Sequence, residues 1–381
     1  MNRAVIVDAV RTPTGKRGGQ LSELHAVDLA SVPIKALVER NDLDPALVDD
    51  VLYGCVTQAG EQSINVARNA ALAAGLPDEV PGVSIDRQCG SSQQAAHFGA
   101  QGVMAGAYDI VIAGGVESMT RVPMGSAAER PGMPFGPLMS DRYAHALVPQ
   151  GISAEMVADK WGIGRERLDS IAYDSHMRAM TATEEGRFEA EIVPVESGAG
   201  LATKDEGIRP STTMEALAGL KPAFKADGRV TAGNSSQISD GAAAVLIMSE
   251  AKAEELGMEP MVRFHEFAVA AADPVIMLTA PIPATYKVLE RAGMSLDDID
   301  LIELNEAFAS VVGAWLDETG ADWEKVNVNG GAIALGHPLG ASGAKLMTTL
   351  VHEMKRSGSR WGLQTMCEGG GMANATILEL L

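Results

Sequence analysis

The stretch from Val83 to Ala113 reads VSIDRQCGSSQQAAHFGAQGVMAGAYDIVIA. A short apolar run (Val83–Asp86), a helix over about Ser91–Met104 and a second apolar run (Ile110–Ala113) spell strand, helix, strand. The helix carries small residues on every side: Ala95, Ala96, Gly99, Ala100, Gly102 and Ala105. Such a helix belongs in a closely packed interior. Cys89 stands just before it, where unpaired N–H groups and a partial positive charge collect. That position predicts a thiol pKa below the free value of about 8.5.

The same alternation extends outward in both directions. Val5–Val10, Val48–Tyr53 and Asp240–Met248 read as strands, and Asp28–Glu39 and Ile64–Ala74 as helices. The second half repeats the order: strand Val262–Ala270, helix Pro283–Arg291, strand Ile299–Leu304, helix Phe308–Glu318, helix Gly343–Arg356 and strand Trp361–Cys367. This predicts an α/β fold with largely parallel sheets. A faint repeat supports duplication: Ala36-Leu37-Val38-Glu39-Arg40 leads to Asp49-Asp50-Val51-Leu52, and Lys287-Val288-Leu289-Glu290-Arg291 leads to Asp297-Asp298-Ile299. Between the halves, about Ser118 to Ser239, lie eight prolines, many charges and little sustained periodicity. We read residues 1–118 and 240–260 as one half, 119–239 as an inserted loop domain and 261–381 as the other half.

Composition bounds the function. Of 381 residues 41 are glycine, above the usual ~7%, while aromatics are only 4%. The formal charge of −20 opposes broad nucleic-acid or anionic-membrane contact, and an anionic ligand would need a local basic patch. The charge-free stretch Val326–Ala344 carries five glycines and Pro338, so no membrane helix is expected there. Three cysteines without C-x-x-C spacing predict a reducing, cytoplasmic setting, and Met1–Val10 carries no secretory pattern. Cys55 is read as packing.

Other reactive groups fall at strand ends. His337 lies in a glycine-crowded loop, Asn329–Gly343, where a backbone can approach a ligand and an imidazole can accept a thiol proton. Cys367 precedes Glu368-Gly369-Gly370-Gly371, whose N–H groups could face an oxyanion. Asn305 follows a strand, where open α/β sheets place ligands. Plainer readings are a small buried cysteine, a structural histidine, a strand-end turn and a helix cap. Neither G-x-G-x-x-G after a strand nor G-x-x-x-x-G-K-[ST] occurs.

Taken together these segments resemble the thiolase family over the whole chain. Cys89-Gly90-Ser91-Ser92 after Asp86-Arg87-Gln88, Asn305-Glu306-Ala307-Phe308, the loop Asn329–Gly343 and Cys367–Gly371 follow that family's order and spacing. Arg11-Thr12-Pro13 and Gly233–Gly241 are also similar to its segments. The resemblance implies the thiolase fold: two duplicated α/β halves in a layered α-β-α-β-α core, with an inserted loop domain. It implies cleavage of a 3-ketoacyl-CoA by CoA, or the reverse condensation, with CoA as co-substrate, no bound cofactor and no metal. Cys89 would be the acylated nucleophile, His337 its base, and Cys367 the second acid/base. His337 with a water held by Asn305 would form one oxyanion hole, and the N–H groups of Cys89 and Gly369 a second. Lys221, Ser236, Met277 and Phe308 would bind the CoA and acyl parts, with Lys225 and Arg229 completing a basic patch beside Lys221. A homodimer or homotetramer is implied as well.

Short-chain biosynthetic thiolases carry a His-Met pair in the covering loop, which Val148–Glu155 here lacks. Together with Cys-Gly-Ser-Ser-Gln-Gln and Ser235–Ser239, this is more similar to actinobacterial degradative thiolases, including those of sterol breakdown. The reading is therefore thiolytic cleavage, with acetoacetyl-CoA synthesis as the alternative. A ketoacyl synthase would need a histidine where Cys367 stands, and a non-catalytic carrier would have lost the nucleophile.

Overall fold

The computed structural model describes residues 2–381 apart from 129–131, 133 and 145, so part of the inserted region lies outside it. In the first half β1 (Ala4–Arg11), β2 (Asp50–Gly54), β3 (Gly82–Ile85), β4 (Ile110–Ser118) and β5 (Ser239–Ser249) lie in the spatial order β3-β2-β4-β5-β1. The second half places β6 (Val262–Ala271), β7 (Leu301–Leu304), β8 (Trp361–Glu368) and β9 (Met372–Leu380) as β7-β8-β9-β6. Directions repeat too. β2–β4 and β7–β8 are parallel, while β4–β5, β5–β1, β8–β9 and β9–β6 are antiparallel. A parallel bridge from Ile302 to Val326 takes the place of the β2–β3 pairing.

The sheets are thus mixed, not largely parallel as the alternation suggested. Helices cross over between parallel neighbours, but β8 turns straight into β9 at Gly369–Gly371, and a tight turn reverses direction. Gly370 and Gly371 both adopt positive φ there, so these glycines serve a hairpin. Val5 and Ile6 pair with Arg263 and Val262, joining the two halves edge to edge.

Helices fill three layers. α1 (Ala26–Arg40) and α2 (Val66–Ala73) cover the outer face of the first half around Leu29, Ile34, Val51 and Leu246. The small-residue helix α3 (Ser91–Ala105) is buried between the sheets. α4 (Gln150–Lys160), α5 (Arg165–Glu184), α6 (Pro281–Ala292) and α7 (Ala309–Thr319) cover the far side around Leu168, Val288, Trp315 and Ile377. α8 (Ser342–Ser357) joins α3 in the middle, with Met347, Leu350 and Met354 against Ala96 and Val103. The order is α-β-α-β-α.

Between β4 and β5 the chain holds two substantial helices, α4 and α5, where little periodicity was expected. Their buried faces explain the miss. α5 buries Leu168, Ile171, Ala172, Ser175, His176, Ala179 and Ala182, a helical spacing written mostly in small or polar residues.

Candidate active site

Cys89 is placed by a strained turn. Gln88 sits at φ 50°, and its N–H donates to Asp86 Oδ1 at 2.7 Å. Ser91 Oγ donates to Gln88 O and accepts from Arg87 N–H, closing the turn onto α3. Only glycine fits at 90, because a Cβ there would overlap Glu368 Oε1 and crowd Asn374 Oδ1. The expected lowering of the Cys89 pKa is not found. Burial, and then the nearby Glu368 charge, push the thiol up to about 12. The N–H groups of Cys89 and Gly369 face the sulfur and pull downward, but less strongly. The resting group is a thiol, so for Cys89 to attack as a nucleophile a base would have to take its proton.

His337 is held in a form suited to that task. Ser342 Oγ donates to Pro338 O at 2.8 Å, so it can only accept from His337 Nδ1, 2.5 Å away. The proton therefore resides on Nδ1, and Nε2 is the free acceptor. Asn305 Nδ2 lies 3.4 Å from Nε2. Burial, and then Lys345, push His337 down to about 3, which leaves the imidazole neutral. Its loop is tied from below. Lys345 Nζ donates to Leu335 O and Gly336 O at 3.1 and 3.0 Å, His337 N donates to Ser239 Oγ, and Gly340 N donates to buried Glu117.

β7 and β8 bring the remaining groups to the same end of the sheet. Asn305 N donates to Thr365 O, two residues before Cys367, and the charge of the Cys89 sulfur acts on Cys367. Burial raises the Cys367 thiol well above its ordinary value. Among the described residues Asn305 Oδ1 has no hydrogen-bond partner.

Two of the four predicted binding residues, Ser236 and Phe308, lie on segments joined to each other, and a third, Met277, packs on the same core. Ser236 N donates to Ala307 O, Phe308 packs in the core that contains Cys367, and Met277 packs on that core at φ 57°. Lys221 is exposed on a loop whose Phe224 lies edge-on to Phe308, ring centroids 6.0 Å apart. The basic patch is smaller than expected. Arg229 is committed to Asp159 at 2.9 Å and to Ile163 O, and Lys225 lies 3.6 Å from Asp227.

Glu117, Ser342 and Lys345 were not singled out from sequence. A lone acid in the otherwise apolar run Ile110–Ser118, and Ser342 and Lys345 three apart where α8 leaves the loop, were the available signals.

With this geometry in place, the comparisons assign the class. The thiolase N-terminal domain model matches residues 4–251 and the thiolase C-terminal domain model residues 258–380. The chain belongs to the thiolase family. Among its relatives is the steroid 3-ketoacyl-CoA thiolase FadA6 of Mycobacterium tuberculosis, 52% identical over 388 residues, covering 100% of this chain and 95% of the relative. A 3-ketoacyl-CoA thiolase of Pseudoalteromonas translucida is 49% identical, covering 100% and 99%. A solved structure of the Bacillus anthracis acetyl-CoA acetyltransferase superposes with a TM-score of 0.92 at 41% identity, covering 100% of this chain and 99% of that one.

Proposed function

We propose that this chain is a degradative thiolase that cleaves 3-ketoacyl-CoA with CoA. The observation that carries the reading is a buried thiol at a helix N-terminus faced by two backbone N–H groups, with a second thiol beside it. His337 Nε2 takes the Cys89 proton as the sulfur attacks the 3-keto carbon. The N–H groups of Cys89 and Gly369 receive the resulting oxyanion, where one such donor is typically worth about 3 kcal/mol. The C2–C3 bond then breaks, leaving the acyl group on Cys89 and the electron pair on the acetyl-CoA enolate. His337 and Asn305 meet the enolate oxygen, and the Cys367 S–H delivers a proton to C2. The Cys367 thiolate then deprotonates CoA, whose sulfur attacks the Cys89 thioester. Cys89 leaves as a thiol by recovering the proton from His337, so the cycle closes without a net proton change.

Lys221, Ser236, Met277 and Phe308 would line the path of CoA and acyl chain, supported by the joined loops that carry them. The name of the mycobacterial relative makes a ring-bearing acyl group one candidate substrate. The chain would work in the cytoplasm, in keeping with three free cysteines. It would work as a homodimer or homotetramer, in keeping with the open outer edge of β3 beside the nucleophile turn.

The test is thiolysis of acetoacetyl-CoA, long-chain and polycyclic 3-ketoacyl-CoAs, with Cys89→Ala as the blank. Faster turnover of acetoacetyl-CoA than of every longer substrate would reverse the preference for a degradative role. Absence of an acyl adduct on Cys89 by mass spectrometry would sink the mechanism.

A further inference from the structure

Beside Cys89 the structure holds a carboxyl group that the steps above leave unused. Glu368 closes β8 one residue past Cys367 and is fully buried. It lies on the face that β8 and β9 turn toward α3, together with Asn374 and Thr376. The orientation of Asn374 is fixed. Its Nδ2 donates to Gln94 Oε1 at 3.1 Å and to His97 Nδ1 at 3.2 Å, which uses both amide hydrogens. Asn374 Oδ1 is left to crowd the same point over Gly90 that Glu368 Oε1 occupies. Among the described residues, neither carboxyl oxygen of Glu368, nor Asn374 Oδ1, has a donor in hydrogen-bond geometry.

The charged and titratable neighbours do not supply one. Arg87, from the nucleophile turn, directs Nη1 to Met372 Sδ at 3.8 Å and leaves Nε unpaired. His97, from α3, is pushed down to about 3 by burial and then by Arg87, so it is neutral. Cys89 and Cys367 are thiols, and the β9 residues on this face, Met372, Asn374, Thr376 and Leu378, carry no charge. Glu368 Oε1 and Asn374 Oδ1, two buried acceptors that both lie close over Gly90 and have no donor in hydrogen-bond geometry, are reconciled by one proton.

We propose that Glu368 is a protonated carboxylic acid in the working enzyme, its O–H donated to Asn374 Oδ1, and that it acts as a positioning residue. In that state it braces the turn under Cys89 and keeps a negative charge away from both sulfurs. Burial pushes Glu368 up to about 8, against the pull of the Arg87 charge and a weaker pull from the Asn374 backbone N–H, which lies outside hydrogen-bond geometry. Its ionised form raises the Cys89 and Cys367 thiols. Alkaline ionisation of Glu368 therefore opposes formation of the thiolate at the moment other groups favour it.

The inference rests on the reading of Cys89 as nucleophile, and the experiment separates the two. Glu368→Gln keeps the shape and a donor for Asn374 while removing the ionisation. Alkylation of Cys89 by iodoacetamide, mapped by mass spectrometry, is followed with kcat/KM for thiolysis from about pH 6 to about pH 10. In E368Q, activity near pH 6.5 stays within about threefold of wild type, and the Cys89 alkylation profile moves to lower pH by up to about one unit, a gain of up to about tenfold near pH 9. An unshifted profile overturns the proposal, as does a neutral-pH loss above about tenfold with the profile unmoved. Failure of wild-type Cys89 to form an acyl adduct would instead overturn the nucleophile reading. Should E368Q not fold, infrared difference spectra of the wild type against Glu368→Met decide, since the subtraction separates Glu368 from buried Glu117, Glu303 and Glu306. A protonated carboxyl band present at neutral pH and lost on the alkaline side supports the proposal, and its absence at neutral pH refutes it.

Discussion

The two halves share a topology, yet the tips of their matching strands β4 and β8 are furnished in opposite ways. β4 carries Glu117 one residue before its end, a buried carboxyl that accepts from Val56 N, Thr57 N, Gln62 Nε2 and Gly340 N. β8 ends on Cys367 and on Glu368, whose oxygens have no hydrogen-bond partner among the described residues. Burial pushes both carboxyls upward, but around Glu117 four donors work against it. One tip is a finished anchor, bonded to the loop that carries His337. The other is left unsatisfied next to the reacting sulfurs, and unsatisfied buried polar groups concentrate where chemistry occurs. Duplication supplied two equivalent positions, and only one was made reactive.

The largest expected effect tests that division of labour. On the proposed mechanism the first half supplies the nucleophile, while the second supplies the groups that move protons. Cys89→Ala should lower thiolysis by more than about 10⁴-fold and form no acyl adduct. Cys367→Ala should lower turnover by about 10²–10⁴-fold while Cys89 still becomes acylated by an acyl-CoA. Intact-mass spectra after incubation with acyl-CoA separate the two. An adduct missing from both variants would mean that Cys367 also takes part in acylation, and the halves would not divide the work as drawn.

The anchors themselves come next. Glu117→Gln turns an amide N–H₂ toward two of its four donors, either Val56 N and Gly340 N or Thr57 N and Gln62 Nε2, which should cost about 2–3 kcal/mol of stability and loosen the His337 loop. Glu368→Gln meets an acceptor instead and should change stability by less than about 1 kcal/mol at neutral pH. Urea unfolding of both variants measures this. Equal losses would erase the distinction between a satisfied and an unsatisfied tip.

Much of this arrangement was legible in the chain, for reasons that can be named. Cys89, Asn305, His337 and Cys367 stand at junctions between regular elements, and α/β packing gathers such junctions at one end of the sheet. The duplicated order was visible because Leu289-Glu290-Arg291 and Leu37-Val38-Glu39-Arg40 close matching helices. Strand direction was not visible, since it depends on whether a helix or the hairpin Gly369–Gly371 follows. The state of Cys89 was misread because a helix N-terminus can be seen in sequence, whereas complete desolvation and a carboxyl from β8 cannot. α5 escaped notice because its inward face is built from Ser175, His176, Ala179 and Ala182, which do not register as apolar.

That inward face gives a smaller effect of defined sign. His176 is pushed down to about 4 by burial and then by Arg209, and its Nδ1 accepts from Arg209 N at 3.2 Å. Its folded pKa lies below the unfolded value of about 6.5. The unfolded chain therefore binds the proton first as pH falls. His176 costs nothing above about pH 7, and it removes stability between about pH 6.5 and pH 4 at up to about 1.4 kcal/mol per unit. In His176→Gln the slope of unfolding free energy against pH should flatten by up to that amount in this window and stay unchanged above it. An unchanged slope would show that this face of α5 opens to water, unlike the sheet interior that holds His337.

The smallest effect concerns the edge outside both halves. Lys221 is exposed and, among the described residues, makes no ion pair, whereas Arg229 on the same loop is already neutralised by Asp159. An exposed lysine paired with a phosphate contributes at most about 1 kcal/mol, so Lys221→Glu should raise KM for CoA by about three- to tenfold with kcat nearly unchanged. Because the attraction is screened, the difference from wild type should shrink as salt is raised toward about 1 M. Lys35→Glu on α1, remote from the loop and facing Glu39, serves as a control that alters net charge equally. A matching rise in KM for both variants would assign the effect to the overall charge of −20 and leave Lys221 no specific part in holding CoA.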